Sequence, residues 1–264
     1  MSTTNWSDLR PRVISGLVLA SGGILAVIFG GWLFSAFVAV CCGLMIWELS
    51  RITGRVGFLA YPLAAISIAC TLFWLKLGFL NDIFLVLVLP GILALLATKE
   101  QLRVFIFAAM IGATGVVLQL LRIDLGITWL MWLILVVITT DIAGYFAGRL
   151  IGGPKFWPSL SPKKTWSGTA AGWVGAGIVG ALFGAAFAGP FILFSIVVSV
   201  ASQLGDIAES ALKRRFGVKD SSNLIPGHGG FLDRFDGMIA AALAIGIVSL
   251  LLPQGLLMFE LGAQ

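Results

Sequence analysis

SQLGDIAESALKRRFGVKDSSNLIPGHGGFLDRFDG, residues 202–237, is the charged stretch around which the rest of the sequence is arranged. It lies between two long apolar runs and holds five of the twelve acidic residues, five of the seventeen basic residues and the single histidine. Only 11% of the 264 residues are charged, whereas about a quarter are charged in soluble domains. We therefore expect the charged chemistry in this stretch, the polar segment, with the apolar remainder as its scaffold.

The remainder has the composition of an integral membrane protein. Hydrophobic residues make up 59% of the chain, and the mean hydropathy is +1.05. One helix needs roughly 20 apolar residues to cross the bilayer core, and the runs lack the alternation of a barrel strand. The sequence thus predicts an all-α polytopic bundle. The uncharged runs are Val13–Trp47, Val56–Leu75, Ile83–Thr98, Val104–Leu121, Leu125–Thr140, Thr165–Gly205 and Gly237–Phe259.

Two of these runs are long enough for a pair of helices. We expect Val13–Trp47 to divide at Gly30-Gly31 and Thr165–Gly205 at Gly189-Pro190, because such dipeptides interrupt helices. The division gives about nine transmembrane helices.

The run Leu125–Thr140 reaches spanning length only if Asp141 and the residues after it continue the helix. We expect one polytopic domain, in which residues 1–125 form a transmembrane scaffold and residues 126–264 form the catalytic region with its cytoplasmic loops.

The basic residues predict the orientation. With nine spans and a cytoplasmic N-terminus, fifteen of the seventeen basic residues fall on the inner side, and only Lys76 and Arg122 fall outside. We therefore expect a multi-pass protein of the inner membrane with the polar segment facing the cytoplasm. The net charge of +5 then suits anionic headgroups or a polyphosphate. Nucleic acid is not expected, because the basic residues are scattered and form no recognisable binding module.

A second polar region closes the sixth span. Asp141, Tyr145 and Arg149 are spaced at i, i+4 and i+8 and so share one face of a helix. Since an ionisable group facing lipid is costly, this face indicates a polar wall of a cavity. A salt bridge at the helix end is the alternative.

The next segment, Gly152–Gly168, contains three prolines and three lysines and is predicted to be a constrained cytoplasmic loop. It presents Lys163, Lys164 and Thr165 at the start of the next span. Ammonium groups beside the free N–H groups of a helix start favour phosphate binding; the alternative is simple anchoring by the positive-inside rule.

Charged residues in the N-terminal half are predicted to be solvated helix ends. Glu48 stands beside Arg51, and Lys99, Glu100 and Arg103 form a short turn. The three cysteines show no metal-ligand spacing and are interpreted as small buried hydrophobic residues, namely Cys41, Cys42 and Cys70.

Within the polar segment, Asp206, Ser210 and Lys213 occupy one helical stripe at the end of the eighth span. A glycine-rich loop, residues 216–230, follows and must turn sharply or approach another group closely. Such a stripe beside such a loop is typical of a binding site.

Asp233 and Asp236 follow at i, i+3 as the ninth span begins. Together with Asp206 they supply carboxylates from two elements, which suits a hard divalent cation that keeps phosphate and water ligands. Magnesium is the cation expected, with room for a possible second cation. The single His228 cannot build a zinc site; it is expected to touch a phosphate or to shape the loop.

Carboxylates for a metal combined with many cationic side chains point to phosphoryl or nucleotidyl transfer, in which the protein chiefly positions groups and neutralises charge. We predict a catalytic set and a substrate-binding set. The catalytic set is Asp206, Asp233, Asp236, Lys213 and Arg214. The substrate-binding set is Asp141, Lys163, Lys164, Thr165, Ser210, Lys219, His228 and Arg234.

The polar segment resembles the signature of the CTP:phosphatidate cytidylyltransferases, or CDP-diacylglycerol synthases. The matching residues are Ser210-Ala-Leu-Lys213-Arg214, Lys219-Asp220 and the run LIPGHGGFLDRFD from Leu224 to Asp236. Upstream, Asp141, Gly148-Arg149 and Ser161–Thr165 are also similar. Ser167 departs from the acidic or amide residue of the family pattern.

The resemblance implies transfer of a cytidylyl group from CTP to phosphatidate at the cytoplasmic face, with magnesium on the aspartates corresponding to Asp206 and Asp233 and with Asp236 nearby. It also implies a homodimer. Two alternatives stay open: an ion-coupled transporter that uses Asp141 and Asp206, and a CTP-dependent enzyme acting on another lipid phosphate.

Overall fold

The computed structural model describes seven ranges of the chain. They are residues 9–53, 59–72, 84–96, 100–158, 160–184, 191–227 and 229–251.

Helices dominate the described ranges, and five of them are long and apolar enough to cross a membrane, which confirms the all-α membrane class. These five are α2 (Gly31–Ile52), α5 (Gln101–Ile123), α6 (Ile127–Leu150), α7 (Trp166–Gly184) and α8 (Phe191–Arg215). The remaining helices are α1 (Leu9–Phe29), α3 (Ala60–Leu72), α4 (Leu89–Leu96), which follows a π-helical turn at Phe84–Val88, and α9 (Leu232–Leu251).

Two predicted features of the helices agree with the structure, the break at Gly30-Gly31 and the continuation of the sixth segment past Asp141. Helix α1 ends at Phe29 and α2 begins at Gly31, and both Gly30 (φ +63°) and Gly31 (φ +52°) adopt left-handed backbone. Helix α6 continues past Asp141 to Leu150, which gives the sixth segment its spanning length. The expected break at Gly189-Pro190 lies outside the described residues.

The segment predicted as a constrained loop contains a two-stranded antiparallel sheet. Strand β1 (Lys155–Trp157) pairs with β2 (Ser161–Thr165), with Lys155 opposite Thr165. The pattern of prolines hid these strands, because proline is depleted in sheets and is tolerated at edges and irregular positions. Strand β2 leads directly into α7 at Trp166.

The chain divides into two compact units. Unit 1 comprises residues 1–119 and 212–235, and unit 2 comprises residues 120–211 and 236–264. In unit 1, helices α2 and α3 pack closely, since a side chain at Gly43 would collide with Ile68.

A buried polar chain crosses the apolar core of unit 1. The Ser35 hydroxyl donates to Gln119 Oε1 (2.8 Å), and Gln119 Nε2 donates to the carbonyl of Thr71 (3.1 Å). All three residues are buried, so these bonds satisfy groups that the hydrocarbon would leave unpaired.

In unit 2, helices α6 and α7 meet along glycines. Each carries a Gly-x-x-x-Gly pair, Gly144 with Gly148 on α6 and Gly168 with Gly172 on α7. A Cβ atom at Gly168 would lie 2.5 Å from the carbonyl oxygen of Gly144. Small residues let membrane helices approach closely where apolar burial gives little driving force between them.

Side-chain hydrogen bonds join α6 to α8 within the same unit. Trp132 Nε1 donates to Ser195 Oγ (2.8 Å), and Thr140 Oγ1 lies 2.8 Å from Ser199 Oγ. Trp132 also stacks on Phe194. Helix α6 is therefore held on one side by α7 and on another by α8.

Replacing Gly168 by alanine should force α6 and α7 apart, because the new methyl group would meet backbone rather than a movable side chain. We expect Gly168→Ala to lower the apparent Tm of the detergent-solubilised protein by several degrees, measured by thermal unfolding. Gly177→Ala on the same helix is the matched control: its Cβ would make ordinary contacts of 3.6 Å or more, and alanine favours helix by about 1 kcal/mol. Equal Tm values for the two variants would contradict the close-packing account.

Candidate active site

Unit 2 contains a cavity of about 480 Å³, within the range of roughly 300–1,000 Å³ typical of ligand pockets. Helix α6, strand β2, the start of α7 and helix α8 line it. Its lining residues are Thr140, Asp141, Gly144, Tyr145, Gly148, Arg149, Lys163, Lys164, Thr165, Gly168, Thr169, Gln203 and Asp206. The structure thus brings together five of the predicted site residues: Asp141, Lys163, Lys164, Thr165 and Asp206.

Helix α6 supplies the polar wall that its spacing predicts. Asp141, Tyr145 and Arg149 all line the cavity, and Arg149 Nη1 donates to Tyr145 Oη at 2.7 Å. All three side chains are exposed. The guanidinium group is thereby held at the cavity with further N–H donors available to a ligand.

Asp206 and Lys164 form an ion pair in the cavity. Lys164 Nζ lies 2.6 Å from Asp206 Oδ2 and also donates to the carbonyl of Gln203 at 3.2 Å. The two charged side chains are 24% and 38% exposed, so solvent and ligand can reach both. Lys164 therefore neutralises Asp206 in this structure, whereas its exposed neighbour Lys163 offers its charge to the cavity.

Thr165 connects the hairpin to α7 as an N-cap. Its hydroxyl oxygen accepts a hydrogen bond from the backbone N–H of Gly168 (3.2 Å), the third residue of the helix. The hydroxyl of Ser167, which departs from the family pattern, donates to the carbonyl of Gly152 at 2.5 Å and lies 3.0 Å from Thr165 Oγ1. Ser167 thus ties the start of the hairpin segment to the helix start.

Gln203 is a cavity residue that the sequence did not reveal. Its Nε2 donates to the carbonyl of Thr169 (3.2 Å), and its Oε1 accepts from Trp173 Nε1 (3.0 Å). These bonds link α8 to α7, and the backbone carbonyl of the same residue accepts the bond from Lys164. An amide one residue after Ser202, where the apolar run gives way to polar residues, was the available signal.

In unit 1, Asp233 at the start of α9 is surrounded by donors. Its Oδ1 receives Lys213 Nζ at 2.5 Å, and its Oδ2 receives the N–H of Gly230 at 2.8 Å. The N–H and hydroxyl of Ser221 also donate to Oδ2, each at 2.9 Å. The bonds from Lys213, Gly230 and Ser221 therefore engage both oxygens of the carboxylate and compensate its burial.

Loop 216–230 makes the sharp turns that its glycines predict. Gly217, Gly227 and Gly229 have φ of +73°, +75° and +84°, a region that L side chains rarely adopt. A side chain at Gly230 would collide with Ser221 Oγ and Glu48 Oε1. His228, predicted to bind substrate, lies outside the described residues.

Glu48 is not a solvated helix end, and that prediction is wrong. Its side chain lies on α2 with 0% of the residue exposed, and its carboxylate accepts hydrogen bonds from residues of the polar segment. The donors are Ser222 Oγ (2.5 Å), Leu232 N (2.7 Å), Phe231 N (2.9 Å) and Ser221 Oγ (3.1 Å). The available signal was an acid directly after an apolar run of spanning length, since an ionisable residue at membrane depth is costly unless it is paired.

The other predicted site residues are placed as follows. Ser210 Oγ lies 3.5 Å from Asp206 Oδ1, and Arg214 donates to the carbonyl of Val218 (3.3 Å) as α8 ends. Asp236 Oδ1 accepts the N–H of Gly237 (2.7 Å). Lys219 and Arg234 are exposed.

Of the cysteines, Cys41 and Cys42 are buried, as expected, and Cys70 is half-buried.

The fit of a divalent cation differs between the carboxylates. No group of three His, Cys, Asp or Glu side chains suited to a metal occurs within the described ranges. Asp141 and Asp206 line one cavity beside cationic side chains, which fits magnesium, a cation commonly held by one or two carboxylates plus substrate phosphates. Asp233 has a side chain only 6% exposed, with both oxygens engaged by donors, so it could ligate a cation only by releasing one of them.

A helical membrane protein whose cavity combines carboxylates with ammonium and guanidinium groups has the features of an enzyme for phosphorylated substrates. Comparison with known proteins gives the family. Residues 10–252 match the model of the cytidylyltransferase family. The chain therefore belongs to the cytidylyltransferase family, and it is a nucleotidyltransferase.

Curated relatives agree with this assignment. The chain is 38% identical over 250 residues to a phosphatidate cytidylyltransferase of Brucella suis biovar 1 (strain 1330), covering 89% of this chain and 91% of the relative. A phosphatidate cytidylyltransferase of Bacillus subtilis (strain 168) is 44% identical over 119 residues, 43% of this chain and 44% of the relative. One from Helicobacter pylori (strain J99 / ATCC 700824) is 40% identical over 129 residues, 47% and 48% of the two chains.

Lys213→Met should destabilise the fold, because it leaves the Asp233 carboxylate buried without its cation. We expect the free energy of unfolding to fall by about 3 kcal/mol, the lower end of the range for removing one partner of a buried ion pair. The loss lies at the lower end because Ser221 and Gly230 still donate to the carboxylate. Chemical unfolding in detergent measures it. Arg215→Met, which removes an exposed cation 4.0 Å from Glu100, is the control and should change stability little. A loss no larger than that of the control would refute the pair's contribution.

Proposed function

We propose that this protein transfers a cytidylyl group from CTP to phosphatidate and releases pyrophosphate, giving CDP-diacylglycerol. The names of its relatives and the family match support this substrate pair. The single structural observation that carries the proposal is the cavity of unit 2, where Lys163 and Arg149 lie near the Lys164–Asp206 pair. Cationic donors around carboxylates in a concave site suit a phosphate-bearing substrate.

In the proposed reaction a phosphate oxygen of the lipid forms a bond to the α-phosphorus of CTP. The bond from that phosphorus to the bridging oxygen of the β-phosphate breaks, and pyrophosphate leaves with the electron pair. Lys163 and Arg149 bind phosphate oxygens and neutralise their charge. Because two anionic substrates must approach each other, this neutralisation is the main task of the protein.

We propose that magnesium binds to the aspartates that the sequence predicts as ligands, Asp206, Asp233 and Asp236. Asp206 fits best, because its carboxylate is partly exposed in the cavity. When bound, the cation would polarise phosphate oxygens and stabilise the leaving pyrophosphate. Asp141 is proposed to orient the substrate from the opposite wall on α6, and Lys164 is proposed to hold Asp206 in place until a phosphate competes for its ammonium group.

The proposal places about nine spans in an inner membrane, with the N-terminus and the active site on the cytoplasmic side. The distribution of basic residues supports this orientation. A homodimer stays a prediction from the family resemblance. The family match sets aside the transporter alternative, whereas activation of another lipid phosphate by CTP stays open and competition between lipid substrates distinguishes it.

Asp206→Asn should lower turnover roughly 10- to 100-fold, the usual cost of disturbing a metal site, because the isosteric amide removes the charge while keeping the shape. The assay measures transfer of radiolabelled CTP into lipid by purified protein reconstituted with phosphatidate, over a range of magnesium concentrations. Glu100→Gln, at an acid outside the cavity, is the control and should leave turnover unchanged. Wild-type protein that incorporates no label would refute the proposed function, and an unchanged magnesium dependence in Asp206→Asn would count against Asp206 as a ligand.

Lys163→Met should raise the KM for CTP about tenfold, since a hydrogen bond to a charged group contributes roughly 1.5–3 kcal/mol. The matched control is Lys155→Met, on the facing strand of the same hairpin, whose side chain is exposed but does not line the cavity. Steady-state kinetics on both variants tests the assignment. An equal rise in KM for both would show a general surface-charge effect and would contradict a specific role for Lys163.

A further inference from the structure

Glu48 links the scaffold of unit 1 to the polar segment. Its carboxylate on α2 accepts four hydrogen bonds from residues more than 170 positions later in the chain. Two come from serine hydroxyls, Ser221 and Ser222, and two from backbone N–H groups, Phe231 and Leu232. Three of these donors, Ser222 Oγ and the N–H groups of Phe231 and Leu232, belong to Glu48 alone, whereas the Ser221 hydroxyl is shared with Asp233. The three unshared bonds compensate the burial of the charge.

The two backbone donors lie at the start of helix α9. The first N–H groups of a helix have no partner inside the helix, and the helix dipole favours negative charge there. Glu48 therefore caps α9 from a different helix. Because Asp233 is the second residue of α9, this cap fixes the backbone next to a predicted catalytic carboxylate.

The Ser221 hydroxyl connects the two carboxylates. Its oxygen lies 2.9 Å from Asp233 Oδ2 and 3.1 Å from Glu48 Oε2. A hydroxyl has a single proton, so it can donate fully to one acceptor at a time. Glu48 thus offers an alternative acceptor whenever the Ser221 hydroxyl leaves Asp233, and Asp233 can take another partner without stranding a buried hydroxyl.

We propose that Glu48 is a positioning residue for the reaction: it holds residues 221–232 in the arrangement that presents Asp233 and lets Ser221 release it. The effect of Glu48 on catalysis rests on the proposed function. The anchoring of residues 221–232 by Glu48 rests only on the observed contacts. A residue that merely stabilised unit 1 would share the burial of Glu48 but would not act on Asp233.

Glu48→Gln is the most informative variant, because it preserves shape. Oε1 receives Phe231 N and Oε2 receives Leu232 N, so whichever way the amide is placed, its NH₂ group faces a backbone N–H. At least one donor loses its acceptor. Glu48→Asp keeps the charge on a shorter side chain and tests for rescue.

Gln119→Leu is the matched control. Gln119 is also buried in unit 1 and hydrogen-bonded within the scaffold, to Ser35 and Thr71. Within the described ranges its side chain bonds to Ser35 and Thr71 and not to residues 221–232. It reproduces the loss of buried polar contacts without touching the polar segment.

The experiment uses full-length protein in detergent or nanodiscs and combines three readouts. They are amide hydrogen exchange of residues 221–235, the separate values of kcat and KM with CTP and phosphatidate, and the magnesium concentration for half-maximal activity. For Glu48→Gln we expect lost protection at Phe231 and Leu232, kcat lowered about 10- to 100-fold and a magnesium requirement raised about tenfold, with KM for CTP little changed. Glu48→Asp should recover part of each loss, and Gln119→Leu should change only the Tm.

Two results would overturn the inference. One is a folded Glu48→Gln variant whose amide exchange at Phe231 and Leu232 equals that of the wild type. The other is a Gln119→Leu variant whose kcat and magnesium response fall as much as those of Glu48→Gln. If wild-type protein makes no CDP-diacylglycerol, the proposed function fails instead, and the exchange data alone then decide whether Glu48 anchors the segment.

Discussion

The buried carboxylate of Asp233 sets the constraint on which the polar segment depends. An ionised group in an apolar surrounding is tolerated only when its lone pairs are matched by donors. Lys213, Ser221 and Gly230 supply those donors from the end of α8, the loop and the approach to α9. Since each must reach the same two oxygen atoms, their backbone positions follow from this requirement, and the glycines of the loop make the path possible.

The cavity of unit 2 depends on a different constraint, the closeness of α6 and α7. Glycine at positions 144 and 168 allows backbone to approach backbone, which brings the wall formed by Asp141, Tyr145 and Arg149 beside the helix start that Thr165 caps. Bulkier residues would separate the wall from the lysines of β2. The charged residues of the cavity thus owe their proximity to residues that have no side chains.

Local patterns were sufficient for much of the fold. The Gly30-Gly31 break, the extension of α6 past Asp141 and the turns at Gly217, Gly227 and Gly229 all follow from backbone preferences of nearby residues. Glu48 could not be placed this way, because its partners are distant in sequence and a lone acid near a helix end usually meets solvent. The hairpin escaped prediction because its prolines weakened an already short strand pattern. The pairing of Lys164 with Asp206 likewise depends on tertiary contact, which spacing along one element cannot show.

The hairpin joins α7 without a linker, since β2 ends at Thr165 and the helix begins at Trp166. A membrane helix adjusts its tilt when the thickness of the hydrocarbon layer changes. With the Thr165 cap and the Ser167 bond to Gly152 fixing the junction, any tilt of α7 would carry Lys163 and Lys164 with it. A change in bilayer thickness would therefore shift the two lysines within the cavity, because the short joint between strand and helix transmits the tilt.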